Sequence, residues 1–222
     1  MKYIEKSSTE PLNLSDWKTQ SRMFQRKTAK WHKFSKGKDG REYKKDFTKD
    51  LIVEQGYICC YCEQKLNIND CHIEHLIPQK LDEFSEYLFD YNNLLCSCQL
   101  EIESGEPRHC GNSKGSWYDK DLLVSPLDKN CETKFIYTED GQIQYTDEAS
   151  RQTIIHMQLD IDNLNTLRES AIDSILYLDP IEKDELLSEE DSKTFAKEYL
   201  QKNNGIYKEF YTTIKYLFLE NT

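Results

Sequence analysis

Apolar positions recur along this chain with two different periods, and the switches between them divide it. Near the start, Trp17, Phe24 and Trp31 fall seven residues apart with Phe34 three further on, which predicts one helical face interrupted at residues 37–40, where Gly37 and Gly40 lie. Residues 47–56 predict a second helix, with Phe47, Leu51 and Ile52 on one stripe and Gly56 as its stop. A short strand is expected to end at Pro78, followed by a polar-aromatic loop over residues 84–95. Alternation of period two marks residues 133–145 around Asp140-Gly141, the signature of a β-hairpin. From residue 147 onward the spacing becomes three and four, through Ile154, Leu159, Leu164, Ile172 and Ile175, and a last helix is predicted over 192–219.

Composition narrows the class. With 222 residues, 37% hydrophobic and 31% charged, the chain is expected to fold as a polar globular protein that buries a core. No stretch approaches the roughly 20 apolar residues of a membrane span, and residues 1–8 have no apolar signal segment, so a cytoplasmic location is expected. The eight Cys then argue for metal or free thiols before disulfides. No Gly-rich loop suited to cradling phosphates is present, which argues against ATP hydrolysis by this chain.

Charge is unevenly spread. There are 29 Lys and Arg against 40 Asp and Glu, a formal net charge of −11. Residues 18–50 nonetheless hold twelve basic side chains, Arg26, Lys27 and Lys30 among them, against four acidic ones, a local +8 interleaved with aromatics. That pattern fits either a solvated amphipathic helix or a surface that tracks phosphates. Residues 179–191 hold seven acids against Lys183 alone. Phosphate neutralisation supplies most non-specific nucleic-acid affinity, so an acidic chain needs a concentrated basic patch or a partner that brings the substrate.

The candidate chemistry lies between two cysteine pairs. Cys59-x-x-Cys62 precedes His72-Ile-Glu74-His75-Leu-Ile-Pro78, and Asn93-Leu-Leu, Cys98 and Cys110-Gly-Asn112-Ser-Lys114-Gly follow. Cys59, Cys62, Cys98 and Cys110 can close a tetrahedral zinc site with no open position, a structural staple. Cys60 with Cys62, or Cys96 with Cys98, are competing pairs, but a two-residue spacer suits a zinc knuckle better than one residue does. Cys60, Cys71, Cys96 and Cys131 are then packing residues. His75 is the candidate general base and Glu74 the candidate holder of a catalytic Mg²⁺ or Mn²⁺. Neighbours on a regular strand point to opposite faces, so both serve one site only where the strand twists or ends. His72 shares a face with Glu74 and is a candidate supporting residue. Asn93 is expected to hydrogen-bond across the hairpin and fix the imidazole, its alternative being an ordinary turn. Asn112 or His109 would complete the catalytic ion site, with Asn112 preferred.

This series resembles the HNH nucleases, whose pattern is a Cys-x-x-Cys, an acidic-His pair with an apolar-Pro tail, an Asn-Leu, and a second Cys pair followed by His or Asn and a Lys. In detail it looks closest to the HNH subunit of Septu-type anti-phage systems, also found with retrons. The match is best over residues 57–115, looser over 51–145 and weak beyond. Glu rather than Asp at 74, the insert before Cys110, and the single residue between Cys110 and Asn112 depart from the pattern. The resemblance implies a zinc-stapled ββα-metal core, cleavage of DNA, and an ABC- or SMC-like ATPase subunit of the same defence system as partner.

The expected architecture is α+β: a basic, aromatic helical region over 1–50, a nuclease domain with structural zinc over 51–145, carrying the hairpin, and a C-terminal helical region over 146–222. Two functions stand: a metal-dependent endonuclease, effector of an ATPase-coupled defence complex, or a non-catalytic zinc-stabilised nucleic-acid-binding or adaptor module.

Overall fold

The computed structural model describes residues 1–25, 30–36, 40–79, 82–102 and 104–220. Helices α1 (Leu12–Gln20), α2 (Arg22–Gln25), α3 (Trp31–Lys36) and α4 (Arg41–Glu54) lead into β1 (Cys71–His75), and two 3₁₀ segments, Asp82–Phe89 and Tyr91–Asn93, lead into β2 (Leu94–Cys98). A short helix α5 (Cys110–Lys114), the hairpin β3 (Phe135–Tyr137) and β4 (Ile143–Tyr145), and helices α6 (Glu148–Met157) and α7 (Asp162–Leu176) follow. A small hairpin, β5 (Tyr177–Asp179) and β6 (Asp184–Leu186), and helices α8 (Glu189–Tyr199) and α9 (Tyr211–Lys215) complete the order, α9 running into a wider turn at Tyr216–Glu220. Helices and small sheets are mixed, as an α+β chain requires.

The seven-residue aromatic spacing near the start does not lie on one helix. Trp17 sits on α1, Phe24 on α2, and Trp31 and Phe34 on α3, and α1 ends where Ser21 N–H bonds Trp17 O at 2.8 Å. The four rings nevertheless converge. With Phe89 they form one aromatic cluster whose centroids lie 4.7 to 6.2 Å apart. Arg26 and Lys27 lie outside the described residues.

Helix α4 begins six residues before the predicted start, and buries Phe47, Thr48, Leu51 and Ile52. Its end is fastened by Gln55, whose buried amide donates to Ile58 O (3.0 Å) and Cys96 O (2.9 Å) and accepts from Cys96 N–H (2.6 Å). A side chain here acts as an extra peptide group and welds the helix to β2. Gly56 follows at φ +66°, against the Tyr207 ring, so a side chain there has neither the backbone conformation nor the room.

β1 and β2 pair antiparallel, with Cys71 opposite Cys98, Glu74 opposite Leu95 and His75 opposite Leu94. Their buried residues belong to a core that runs from Met1 to Leu164, while Ile172, Ile175, Ala196, Ile214 and Phe218 form a smaller cluster among the C-terminal helices. The β3–β4 hairpin turns at Asp140-Gly141 as its sequence signals, with Gly141 at φ +77° against the backbone of Asn165.

The predicted helix over 192–219 is divided. α8 stops at Tyr199, and Asn204 (φ +50°) and Gly205 (φ +84°) turn the chain before α9. The acidic stretch carries the β5–β6 hairpin, which the sequence pattern misses because all but one of its strand residues are exposed and give no alternation.

Candidate functional site

The first knuckle is a tight turn. Cys59 N–H bonds Gln64 O (2.8 Å), Glu63 N–H bonds Cys59 O (3.2 Å), and Glu63 takes φ +67° to close it. The buried Glu63 carboxylate receives the Met1 amine (2.8 Å) and the Thr212 N–H (2.8 Å), anchoring the knuckle to distant parts of the chain.

Cys59, Cys62, Cys98 and Cys110 come together there, fully buried, with their sulfurs within 4.8 Å of one another. Tetrahedral zinc at the usual bond length separates its sulfurs by about 3.8 Å. The Cys62–Cys98 sulfur separation is 3.7 Å. Backbone N–H groups of Gln64 and Cys98 point at the Cys62 and Cys59 sulfurs at 3.5 and 3.4 Å, as thiolates require. The donor set fits a metal such as zinc. It also separates the competing pairs: Cys60 and Cys96 fall outside the group and, like Cys71 and Cys131, are buried free thiols.

His109 is drawn to this group. Its Nδ1 lies 3.1 Å from the Cys110 sulfur and 3.8 Å from that of Cys98, so it sits beside the thiols rather than in the neighbouring pocket.

That pocket, about 330 Å³, is lined by His72, Glu74, His75, Gln79, Gly111 and Asn112, among others. Glu74 and His75 share it because β1 ends at His75. Pro78 lies three residues beyond the strand's last residue and does not itself end the strand.

His75 is buried and both its nitrogens are engaged. Nε2 lies 3.0 Å from Leu88 O, and a carbonyl only accepts, so Nε2 carries the hydrogen. Nδ1 is then the basic nitrogen, and it receives the Gln79 side-chain amide at 3.1 Å. The Trp31 ring meets the imidazole edge-on, with centroids 4.4 Å apart. Burial pushes the His75 pKa down to about 4, more than the Leu88 carbonyl and the Glu74 charge push it up. A neutral imidazole at pH 7 can accept a proton.

The side-chain hydrogen bonds of Asn93 go to backbone, not to the ring. Its Oδ1 accepts from Ile77 N–H (2.7 Å), and its Nδ2 donates to Ile77 O and Tyr87 O (3.0 Å each). It thereby ties the chain after β1 to the segment that carries Leu88, the acceptor of His75. The imidazole is held at one remove.

Glu74 is buried between Lys114, Tyr61 and His72. Its Oε1 accepts from Lys114 Nζ (2.7 Å) and Tyr61 OH (3.2 Å), and its Oε2 faces His72 Nε2 at 3.7 Å. Burial alone would raise the Glu74 pKa, but His72 and Lys114 outweigh it and the net shift is downward. Lys114, fully buried, also donates to His75 O (2.9 Å). Asn112 lines the pocket, although its amide donates to Gln99 O.

Gln79 and the roles of Lys114 and Gly111 escape sequence reasoning. Lys114 carried a signal, since it lies four residues from Cys110 on one helix and so faces the same way. Gln79 carried none.

No family model matches the chain. Among curated proteins it is similar to one from Vibrio cholerae serotype O1 biovar El Tor named "Retron Vc95 putative HNH endonuclease", 27% identical over 136 residues. That likeness supports an HNH nuclease. It covers 58% of this chain, which spans 64% of the relative's length. Among the described residues no helix is long and apolar enough to cross a membrane.

Proposed function

We propose that the chain is an HNH endonuclease that hydrolyses DNA phosphodiester bonds, with His75 as general base and a divalent ion, Mg²⁺ or Mn²⁺, held through Glu74. The observation that carries this reading is the fixed tautomer of His75: Leu88 O holds the Nε2 hydrogen, so the basic lone pair is that of Nδ1, met by the Gln79 amide, on a residue that lines the same pocket as Glu74.

In this scheme Nδ1 takes a proton from a water whose oxygen attacks phosphorus, the bond to the 3′ oxygen breaks, and that oxygen takes a proton from solvent. The ion, when bound, supplies positive charge to the phosphate as negative charge builds on it. Lys114 holds both the Glu74 carboxylate and the last carbonyl of β1, so the acid and the base keep one spacing. Asn93 braces the segment bearing Leu88, and zinc at the four Cys is structural because four thiolates leave no open position.

A basic cleft of about 390 Å³, lined by Arg41, Lys44, Lys45 and Thr48 of α4 and by Cys71, supports a phosphate-tracking role for the N-terminal region. The chain's net charge of −11 and its acidic residues 179–191 support recruitment by a partner. We therefore propose a cytoplasmic effector of an anti-phage defence complex, docked through its C-terminal helices on an ATPase subunit. The retron in the relative's name is in keeping with that.

Cleavage of supercoiled plasmid with Mg²⁺ or Mn²⁺, with and without the product of an adjacent gene, tests the function. His75→Ala is expected to lower cleavage by about 10² to 10⁴ while zinc content and the thermal transition hold. A zinc-loaded, folded His75→Ala chain that cuts at the wild-type rate refutes the mechanism. A wild-type chain that binds DNA and never cuts it is the adaptor.

A further inference from the structure

His72 lines the pocket with hydrogen-bonding capacity unused. Its Nδ1 is the only buried side-chain nitrogen or oxygen among the described residues without a partner. Its Nε2 stands 3.7 Å from Glu74 Oε2, too far for a hydrogen bond. An imidazole nitrogen and a carboxylate oxygen at that separation can both reach one cation bound at about 2.0–2.2 Å from each.

Space for one exists beside the pair. The first turn of α5 passes over it as Gly111, and the point a Cβ would occupy there is 2.7 Å from both His72 Nε2 and Glu74 Oε2. Only glycine lets the helix approach both donors so closely, and the open space they share is the pocket that all three residues line. The other oxygen of Glu74 is taken by Lys114 and Tyr61, which leaves Oε2 for that space. Asn112, one residue on, gives its amide to Gln99 O.

We infer that His72 Nε2 and Glu74 Oε2 together hold the divalent ion in the pocket beside Gly111, and that Asn112 is not a ligand. The remaining positions belong to water and to a substrate phosphate. This rests on the nuclease reading only for its purpose; the binding itself stands on the geometry. One imidazole in the ligand set favours Mn²⁺ and other transition ions over Mg²⁺, which prefers an all-oxygen shell.

The test is Mn²⁺ binding to the full, zinc-loaded chain, followed by calorimetry and by the electron paramagnetic resonance of free Mn²⁺. His72→Ala should weaken binding about 10- to 100-fold or more, the range that even a supporting residue of a metal site commands. His72→Asp, which restores an oxygen donor, should recover part of it. Gly111→Ala should weaken binding with both donors present, because its methyl would press on the two donor atoms and move them apart. Asn112→Ala should leave binding within about twofold. Unchanged zinc content and thermal transition certify each variant's fold. His72→Ala binding as tightly as wild type, or Asn112→Ala losing the ion instead, overturns the assignment. A wild-type chain that binds no Mn²⁺ overturns it together with the proposed catalytic ion. Binding lost in His72→Ala, from a wild-type chain that never cleaves DNA, upholds the site and removes the nuclease.

Discussion

Lys114→Met removes the positive charge from the base of the site and keeps nearly its volume. The side chains of Lys114 and Glu74 are 0% and 9% exposed and their charged atoms are 2.7 Å apart, so water cannot screen the pair as it does on a surface. Removing one partner of a buried pair costs about 3–5 kcal/mol, because the other charge is stranded. Tyr61 OH still donates to Glu74, which argues for the lower end, while the lost bond to His75 O adds one orphaned carbonyl. A cost of about 3–4 kcal/mol follows, and at roughly 2–4 °C per kcal/mol for a chain of this size the thermal midpoint should fall by about 6–16 °C. The assay is urea and thermal denaturation without added divalent ion, on wild type, Lys114→Met, Glu74→Gln and the double variant. With Glu74 already neutral, Lys114→Met strands no charge, and the coupling from the cycle should be about 2–3 kcal/mol. Excess Mn²⁺ at about 100 times its Kd should stabilise the wild type by about 2.7 kcal/mol and leave Glu74→Gln nearly unmoved. A coupling below about 0.5 kcal/mol would mean that the pair behaves like a surface contact and that Lys114 does not organise the site.

Cys110→Ser should abolish zinc binding and with it the fold of the central segment, since structural zinc contributes about 10–16 kcal/mol in small zinc peptides. Cys60→Ser should retain the metal by elemental analysis, and equal zinc loss in both would sink the ligand assignment. Gln79→Ala should speed cleavage about two- to tenfold, because the amide competes with water for His75 Nδ1 by a hydrogen bond worth about 0.5–1.5 kcal/mol; a tenfold loss in single-turnover rate would show instead that Gln79 serves the substrate. Asp147 caps α6 by accepting from Ser150 N–H (2.9 Å) and pairs with Lys134 (2.7 Å), and these contacts, the lysine's foremost, pull its pKa to about 2. The folded value is depressed, so its contribution of about 1 kcal/mol is complete above pH 4 and drains away as pH falls toward 2. Urea titrations of Asp147→Ala and wild type at pH 6 and pH 3 should therefore differ more at pH 6, and a deficit independent of pH would refute the assignment.

The sequence exposes what is local and hides what is assembled. Cys59 and Cys62 are legible because a knuckle needs a two-residue spacer, and Asp140-Gly141 because a hairpin turn needs positive φ. His72 and Glu74 on one face follow from the two-residue period of a strand alone. The burial of Lys114 does not, since a lysine in a polar run reads as solvated, and only the docking of α5 beside the strand pair, with Cys110 in the thiol group and Gly111 N–H on Ser97 of β2, takes it inside. The aromatic repeat misleads differently. Seven-residue spacing suits one continuous helix, yet Trp17, Phe24 and Trp31 reach one cluster from three separate helices. Their convergence brings Trp31 against His75, a contact between residues 44 positions apart that no local period encodes.

The thiol group and the pocket are one mechanical unit, which gives the proposed structural metal a reason to sit beside the proposed hydrolytic chemistry. Ser97 lies between them on β2: its hydroxyl accepts from Gly111 N–H (3.1 Å) and lies 3.8 Å from the Cys59 sulfur. Cys110 fixes the first residue of α5 in the thiol group, so Gly111, Asn112 and Lys114 are positioned by it within the next turn. Gln99, just past β2, accepts from His109 N–H (3.1 Å) and from the Asn112 amide, closing the approach to the helix from the other side. A five-residue helix cannot hold its own geometry in water, because nucleation is unfavourable and few hydrogen bonds follow it. Its register against β1 must come from outside, and zinc held at the four thiolates, as proposed, would supply about 10–16 kcal/mol on the scale of small zinc peptides. Five free residues at the edge of a two-stranded sheet could not carry Lys114 into a buried pair with Glu74; five residues clamped at Cys110 can.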